Sequence, residues 1–167
     1  MKKITNLCFC LLSYLCVFAN THKMSLKEFQ YSILNPEATY DDLVKKYGKP
    51  DSSEIMDLDE TIYPNVRAED GSKVYKYFYK DIGEFGFFLR GTDGFIRLEY
   101  WALDKNYINS LSIPKSKMEI EKLFGKGMMY SGGYKDDELW YWKDLWNIYF
   151  TFKNGQLMEI TCICDSD

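Results

Sequence analysis

The sequence predicts an α+β fold: two tandem modules, each a helix plus a three-stranded antiparallel meander, forming a curved sheet with helices on one face. Three observations carry this expectation. Two short amphipathic segments each stop at a Gly-Lys pair, Gly48-Lys49 and Gly125-Lys126. After each stop the hydrophobic period changes from helical to alternating. The alternating stretches are also rich in aromatic and β-branched residues, the types that suit a pleated, half-buried surface.

The chain begins with what reads as an address. Lys2 and Lys3 precede an apolar run from about Leu7 to Ala19, too short to span a bilayer comfortably, and the sequence turns polar at Asn20. This pattern predicts a signal peptide over residues 1–19. Val17 and Ala19 stand at the minus-three and minus-one positions, and cleavage is expected after Ala19 or within a residue or two of it. A lipid anchor at Cys16 is a competing reading, which the bulky Tyr14 and Leu15 fit poorly. An N-terminal buried helix is a further one, which the two lysines disfavour. The mature protein is expected to be periplasmic or secreted, with no integral membrane span after processing.

Processing leaves one domain or two small fused modules with room for a sizeable core. The formal charge is -4 before cleavage, and loss of the two lysines makes it more negative. That balance disfavours nucleic acid and anionic membrane surfaces as partners and suits a basic protein surface. Cys8, Cys10 and Cys16 leave with the signal, so the mature chain keeps Cys162 and Cys164. Two positions apart in a strand, their side chains point the same way, and a bridge between them is strained. His22 is the sole histidine, so no zinc site, no other metal and no cofactor is expected.

Residues 20–37 form a lead-in and 38–104 the first module. In the first helix Leu43, Val44 and Tyr47 share a face, and Gly48 and Pro50 end it. Strands are expected at about Val74 to Tyr79, Gly86 to Arg90 and Phe95 to Trp101, with a tight turn over Gly91 to Gly94. Residues 105–167 form the second module. Ser116 with Glu119 three residues on reads as a capping box; Met118, Ile120, Leu123 and Phe124 are apolar; Gly125 stops the helix. Strands follow at about Glu138 to Lys143, Asn147 to Lys153 and Gln156 to Cys164, the last two joined by Lys153-Asn154-Gly155.

The second module holds Ile113-Pro114, then Glu121, Leu123, Phe124, Gly125 and Lys126, then a Trp140-Tyr141-Trp142 strand, Lys153-Asn154-Gly155, and a final Leu157 and Ile160. This order resembles the β-lactamase inhibitory protein fold. It is also similar to the small lipoprotein of the outer-membrane barrel-assembly machine, which has one copy of the module where the inhibitory protein has two. The resemblance covers about residues 38–164 and implies two copies here. It carries over no binding residue, and the mature chain departs from the inhibitory protein in lacking the cysteines for a disulfide in each copy.

Aromatics exceed what one buried face needs. Tyr75, Tyr77 and Tyr79 share one face of a strand, and Trp140 and Trp142 share another opposite Tyr141. If the faces away from the helices carry them, Tyr75, Tyr77, Trp140 and Trp142 form a concave partner-binding surface of hot-spot composition. The plainer reading of any one of them is core packing. Asp57, Asp59 and Glu60, and Asp136, Asp137 and Glu138, form acidic clusters at equivalent places, and Asp136 and Asp137 are the candidate rim charges. Their spacing does not fit a calcium loop.

No nucleophile elbow, phosphate-binding loop or metal-ligand cluster is present in the sequence, so no enzyme is expected; the residual catalytic reading is a carboxylate-dependent glycan hydrolase. The expected function is an exported, non-catalytic protein-binding module: an inhibitor or immunity protein that blocks a toxin or hydrolase in the periplasm. The alternative is an envelope-assembly or structural module that binds outer-membrane components.

Overall fold

Capping chemistry sets the helices. The computed structural model describes residues 24–58, 71–89, 96–129 and 136–164; the predicted signal peptide, His22, Asp59, Glu60 and the Gly91 to Gly94 turn lie outside the described residues. Helix α1, Leu26–Ile33, occupies what the sequence presents as a lead-in, and starts from a capping box between Ser25 and Glu28. Helix α2, Tyr40–Tyr47, starts from a second box between Thr39 and Asp42. Asp104 caps the short α3, Lys105–Ser110, by accepting from the Tyr107 N–H. Helix α4, Lys117–Phe124, departs from expectation at its start: the Ser116 hydroxyl donates to the Glu119 carboxylate at 2.6 Å and makes no side-chain bond to the helix backbone.

Gly48 and Gly125 end α2 and α4 as the sequence predicts. Their φ values of 84° and 99°, with ψ near extended, lie in a region that is almost glycine-only. Each donates its N–H back to the carbonyl four residues earlier, Val44 and Glu121, at 2.8 Å.

Seven antiparallel strands form one open sheet. They are β1 Ser52–Asp57, β2 Lys73–Tyr79, β3 Gly83–Leu89, β4 Ile96–Leu103, β5 Glu138–Lys143, β6 Trp146–Lys153 and β7 Gln156–Cys164. The order is β1-β2-β3-β4-β7-β6-β5, with β4 and β7 paired from Tyr100↔Ile163 to Leu103↔Ile160. The first half thus has four strands where the sequence predicts three. The additional one, β1, is an edge strand exposed along nearly its whole length, so it lacks the alternation that marks a half-buried strand. Asn154 and Gly155, both at positive φ, make the β6–β7 turn.

All four described helices pack on one side of the sheet. Phe29, Ile33, Leu43, Ile108 and Ile120 from the helices join Phe85, Phe87, Trp101, Ile148, Phe150 and Ile160 in one core. Cys162 and Cys164 point into this core, on one face as their spacing requires, and both are free thiols. Burial pushes the Cys162 thiol well above its usual range, and its sulfur accepts from the Gln30 amide at 3.7 Å. On the opposite side a smaller cluster of Leu58, Val74, Phe88 and Tyr100 covers part of the sheet. Gly86 lies directly beneath the Tyr100 ring: a Cβ there would stand 2.2 Å from Tyr100 Cδ1.

One aromatic arrangement occurs twice. In the first half, Tyr47 at the end of α2 packs on Tyr79 and Phe85, and Tyr79 meets Phe85 edge-on at 5.8 Å. In the second, Phe124 at the end of α4 packs on Tyr141 and Phe150, and Tyr141 meets Phe150 edge-on at the same 5.8 Å. Both tyrosine hydroxyls donate to the carbonyl of the glycine that stops the helix, Tyr79 to Gly48 at 3.0 Å and Tyr141 to Gly125 at 2.7 Å. Burial raises both phenols, Tyr79 to about 12, so both remain donors at neutral pH.

Candidate functional site

Strand pairing decides which side chains share the face without helices. Reading across the sheet, Phe78, Glu84, Ala102, Thr161, Tyr149 and Trp140 form one row. Lys76, Gly86, Tyr100, Ile163, Asn147 and Trp142 form the next. In the first row the aromatics Phe78 on one side and Tyr149 and Trp140 on the other flank Glu84, Ala102 and Thr161, and Ser52 of β1 continues the row beyond Phe78.

The aromatics that the sequence puts forward divide between the two faces. Tyr75 and Tyr77 sit on the helix side, half-buried against the main core. Tyr77 packs on Tyr40 of α2 at 4.5 Å between ring centroids and on Phe87 at 5.8 Å. Burial together with the neighbouring Tyr40 and Tyr75 raises its phenol. Trp140 and Trp142 lie on the open side, so the four do not form a single surface. The physical reason is that α2 packs its own aromatics, Tyr40 and Tyr47, on the odd-numbered residues of β2, Tyr77 and Tyr79.

Trp140 is held firmly. Its indole N–H donates to Asn147 Oδ1 at 2.7 Å, and its ring lies nearly parallel to Tyr149, 8° apart, with centroids at 6.3 Å. Asn147 is itself buried, which fixes the acceptor. Trp142, two residues on along the same face, is 56% exposed, and Leu145 in the β5–β6 turn is 59% exposed. A locked indole beside an exposed one, next to a phenol, matches the composition of interface anchors.

Asp136 and Asp137 are exposed and lie where β5 begins. Their main-chain carbonyls are used structurally: Asp136 accepts from Lys117 Nζ at 3.2 Å and Asp137 from the Phe152 N–H at 2.7 Å. The two aspartates precede Trp140 by four and three residues in sequence. Of the other acidic loop, Asp57 pairs with Lys73 across β1 and β2.

Tyr149, Glu84 and Ala102 are open-face residues that sequence reasoning misses. Tyr149 is within its reach: a two-residue turn at Asp144-Leu145 fixes Lys143 opposite Trp146 and therefore Trp140 opposite Tyr149. Glu84 has no local signal, because its place beside Phe78 and Ala102 depends on pairing across three strands. Burial raises the Glu84 carboxyl, with Glu159 and Glu54 adding to the shift and Lys76 opposing it. Burial also raises Glu138.

Among the described residues no three His, Cys, Asp or Glu side chains converge to hold a metal ion. No described helix is long and apolar enough to cross a membrane. The open face is aromatic on its β5–β6 side, with Trp140, Trp142 and Tyr149, and carries Glu84 toward β3. No protein-family model matches the chain, and no curated protein or solved structure matches it either.

Proposed function

We propose that this chain is an exported, non-catalytic binding protein, an inhibitor or immunity protein that blocks a toxin or hydrolase in the periplasm. The observation that carries the reading is the helix-free sheet face with its Trp140–Tyr149 stack and the exposed Trp142 beside it. An indole already fixed by Asn147 loses little conformational freedom on binding, which is the condition for an effective anchor. Asp136 and Asp137 act at the rim, steering a basic partner and giving the association its salt dependence.

In this reading the chain is two tandem copies of a helix-and-meander module, similar to β-lactamase inhibitory protein, with a curved sheet whose open side faces the partner. The recurrence of the helix-end aromatic, the edge-on Tyr–Phe pair and the tyrosine-to-glycine hydrogen bond supports two copies. The first copy then carries β1 as an added edge strand.

Affinity capture from the envelope and secreted fractions of the source organism, followed by mass spectrometry, tests the proposal. The expected result is a stoichiometric toxin or hydrolase whose activity falls on binding and whose capture is lost in Trp142→Ala. Recovery of outer-membrane assembly proteins instead moves the function to an envelope-assembly module.

A further inference from the structure

Beside the β2–β3 turn the open face ends in a groove of about 790 Å³. Ala102 forms its floor, paired to Glu84 on one side and Thr161 on the other. Phe78 and Met158 line it as apolar walls. Gly83, at φ of 132°, faces the β4 backbone: a Cβ there would fall 2.0 Å from the Ala102 carbonyl oxygen.

Four acids line the groove, Asp51, Glu84, Asp104 and Glu159, against two lysines, Lys80 and Lys105. Two of the acids are committed to the fold. Asp51 accepts from the Lys80 backbone N–H at 2.8 Å, and Asp104 caps α3. Glu159 holds the Thr161 hydroxyl through Oε1 at 2.9 Å. Glu84 is half-buried, attracted by Lys76 and repelled by Glu159 and Glu54. A cation placed between Glu84 and Glu159 relieves that repulsion, and an apolar stem covers Ala102, Phe78 and Met158.

We propose that the groove receives an arginine side chain of the protein partner, its stem lying over Ala102 and its guanidinium between Glu84 and Glu159. Charge complementarity selects a cation, and the apolar walls select one on an aliphatic stem over a hydrated metal ion. The planar fork of arginine meets two carboxylates with directed hydrogen bonds, which the point charge of lysine does less well. This deepens the open-face reading and rests on it.

The test is a two-dimensional amide NMR titration of the purified protein with the capped tripeptide Ala-Arg-Ala, against Ala-citrulline-Ala, which keeps the shape and removes the charge. Expected are shifts centred on Glu84, Ala102, Thr161 and Glu159 with the arginine peptide. Binding is expected to be at least about five-fold weaker with citrulline, in Glu84→Gln and in Glu159→Gln, and unchanged in Met118→Ala, an exposed residue of helix α4 away from the groove. An equal response to both peptides, shifts centred elsewhere, or no shifts overturns the assignment. If the groove fails in this way while Trp142→Ala abolishes partner capture, the open-face reading stands without it. If the peptide binds here and Trp142→Ala leaves capture intact, the aromatic anchor is the part that fails.

Discussion

The Tyr141 hydroxyl donates to the Gly125 carbonyl at 2.7 Å, tying strand β5 to the end of helix α4. Tyr79 makes the corresponding bond to Gly48 in the first half. A carbonyl at a helix end has no intrahelical partner, so each phenol satisfies a group that would otherwise need water. Tyr141→Phe keeps the edge-on packing against Phe150 and removes this donor. The expected cost is about 1 kcal/mol of unfolding free energy by urea titration, with a similar loss for Tyr79→Phe.

Three glycines at positive φ separate backbone strain from steric clash. A Cβ added at Gly48 or Gly125 would meet nothing within 4 Å, whereas one at Gly83 would run into the Ala102 backbone. Gly125→Ala is therefore expected to cost about 1–3 kcal/mol from conformation alone. Gly83→Ala, which must also push β3 away from β4, is expected to lower the melting temperature further than either helix-end substitution.

Asn147 is nearly fully buried and its amide oxygen holds the Trp140 indole. Asn147→Ala takes this acceptor away from the indole N–H and is expected to destabilise the fold by about 1–3 kcal/mol. Trp140 fluorescence should broaden and become more quenchable, since the ring loses the bond that fixes its orientation against Tyr149.

Glu84 gives a pH signature of definite sign. Its carboxyl is raised in the folded state by burial, which Lys76 opposes and repulsion from Glu159 and Glu54 reinforces. The folded protein therefore takes up this proton before the unfolded chain does, and the residue's contribution to stability improves as pH falls through the carboxylate range. Glu84→Gln is expected to melt higher than the parent at neutral pH, with the gain shrinking on acidification; a gain that grows on acidification contradicts the assignment.

Much of the scaffold is legible in the sequence because local chemistry fixes it. Gly48 and Gly125 mark helix ends through a φ that other residues avoid, and Asn154-Gly155 sets the last hairpin. Helix α1 is legible in principle, since Ser25 and Glu28 form a capping box ahead of Phe29 and Ile33. The assignment of faces is not. Alternation shows that Tyr75 and Tyr77 point together, but only the packing of α2 shows that they point toward Tyr40 and the core. Tyr149 and Glu84 become neighbours of the candidate surface through register, a property of paired strands and not of either strand alone.

The central claim, that the open sheet face is the contact surface, is tested most directly by measuring how tightly Trp142→Ala binds the captured partner, alongside its melting temperature. Because Trp142 is 56% exposed, stability should change by less than about 0.5 kcal/mol. The affinity of a true anchor should fall by at least about 2 kcal/mol. Unchanged affinity in Trp142→Ala, together with loss of binding on Tyr31→Ala or Met118→Ala, exposed residues of helices α1 and α4, would contradict the claim and move the contact surface to the helical side.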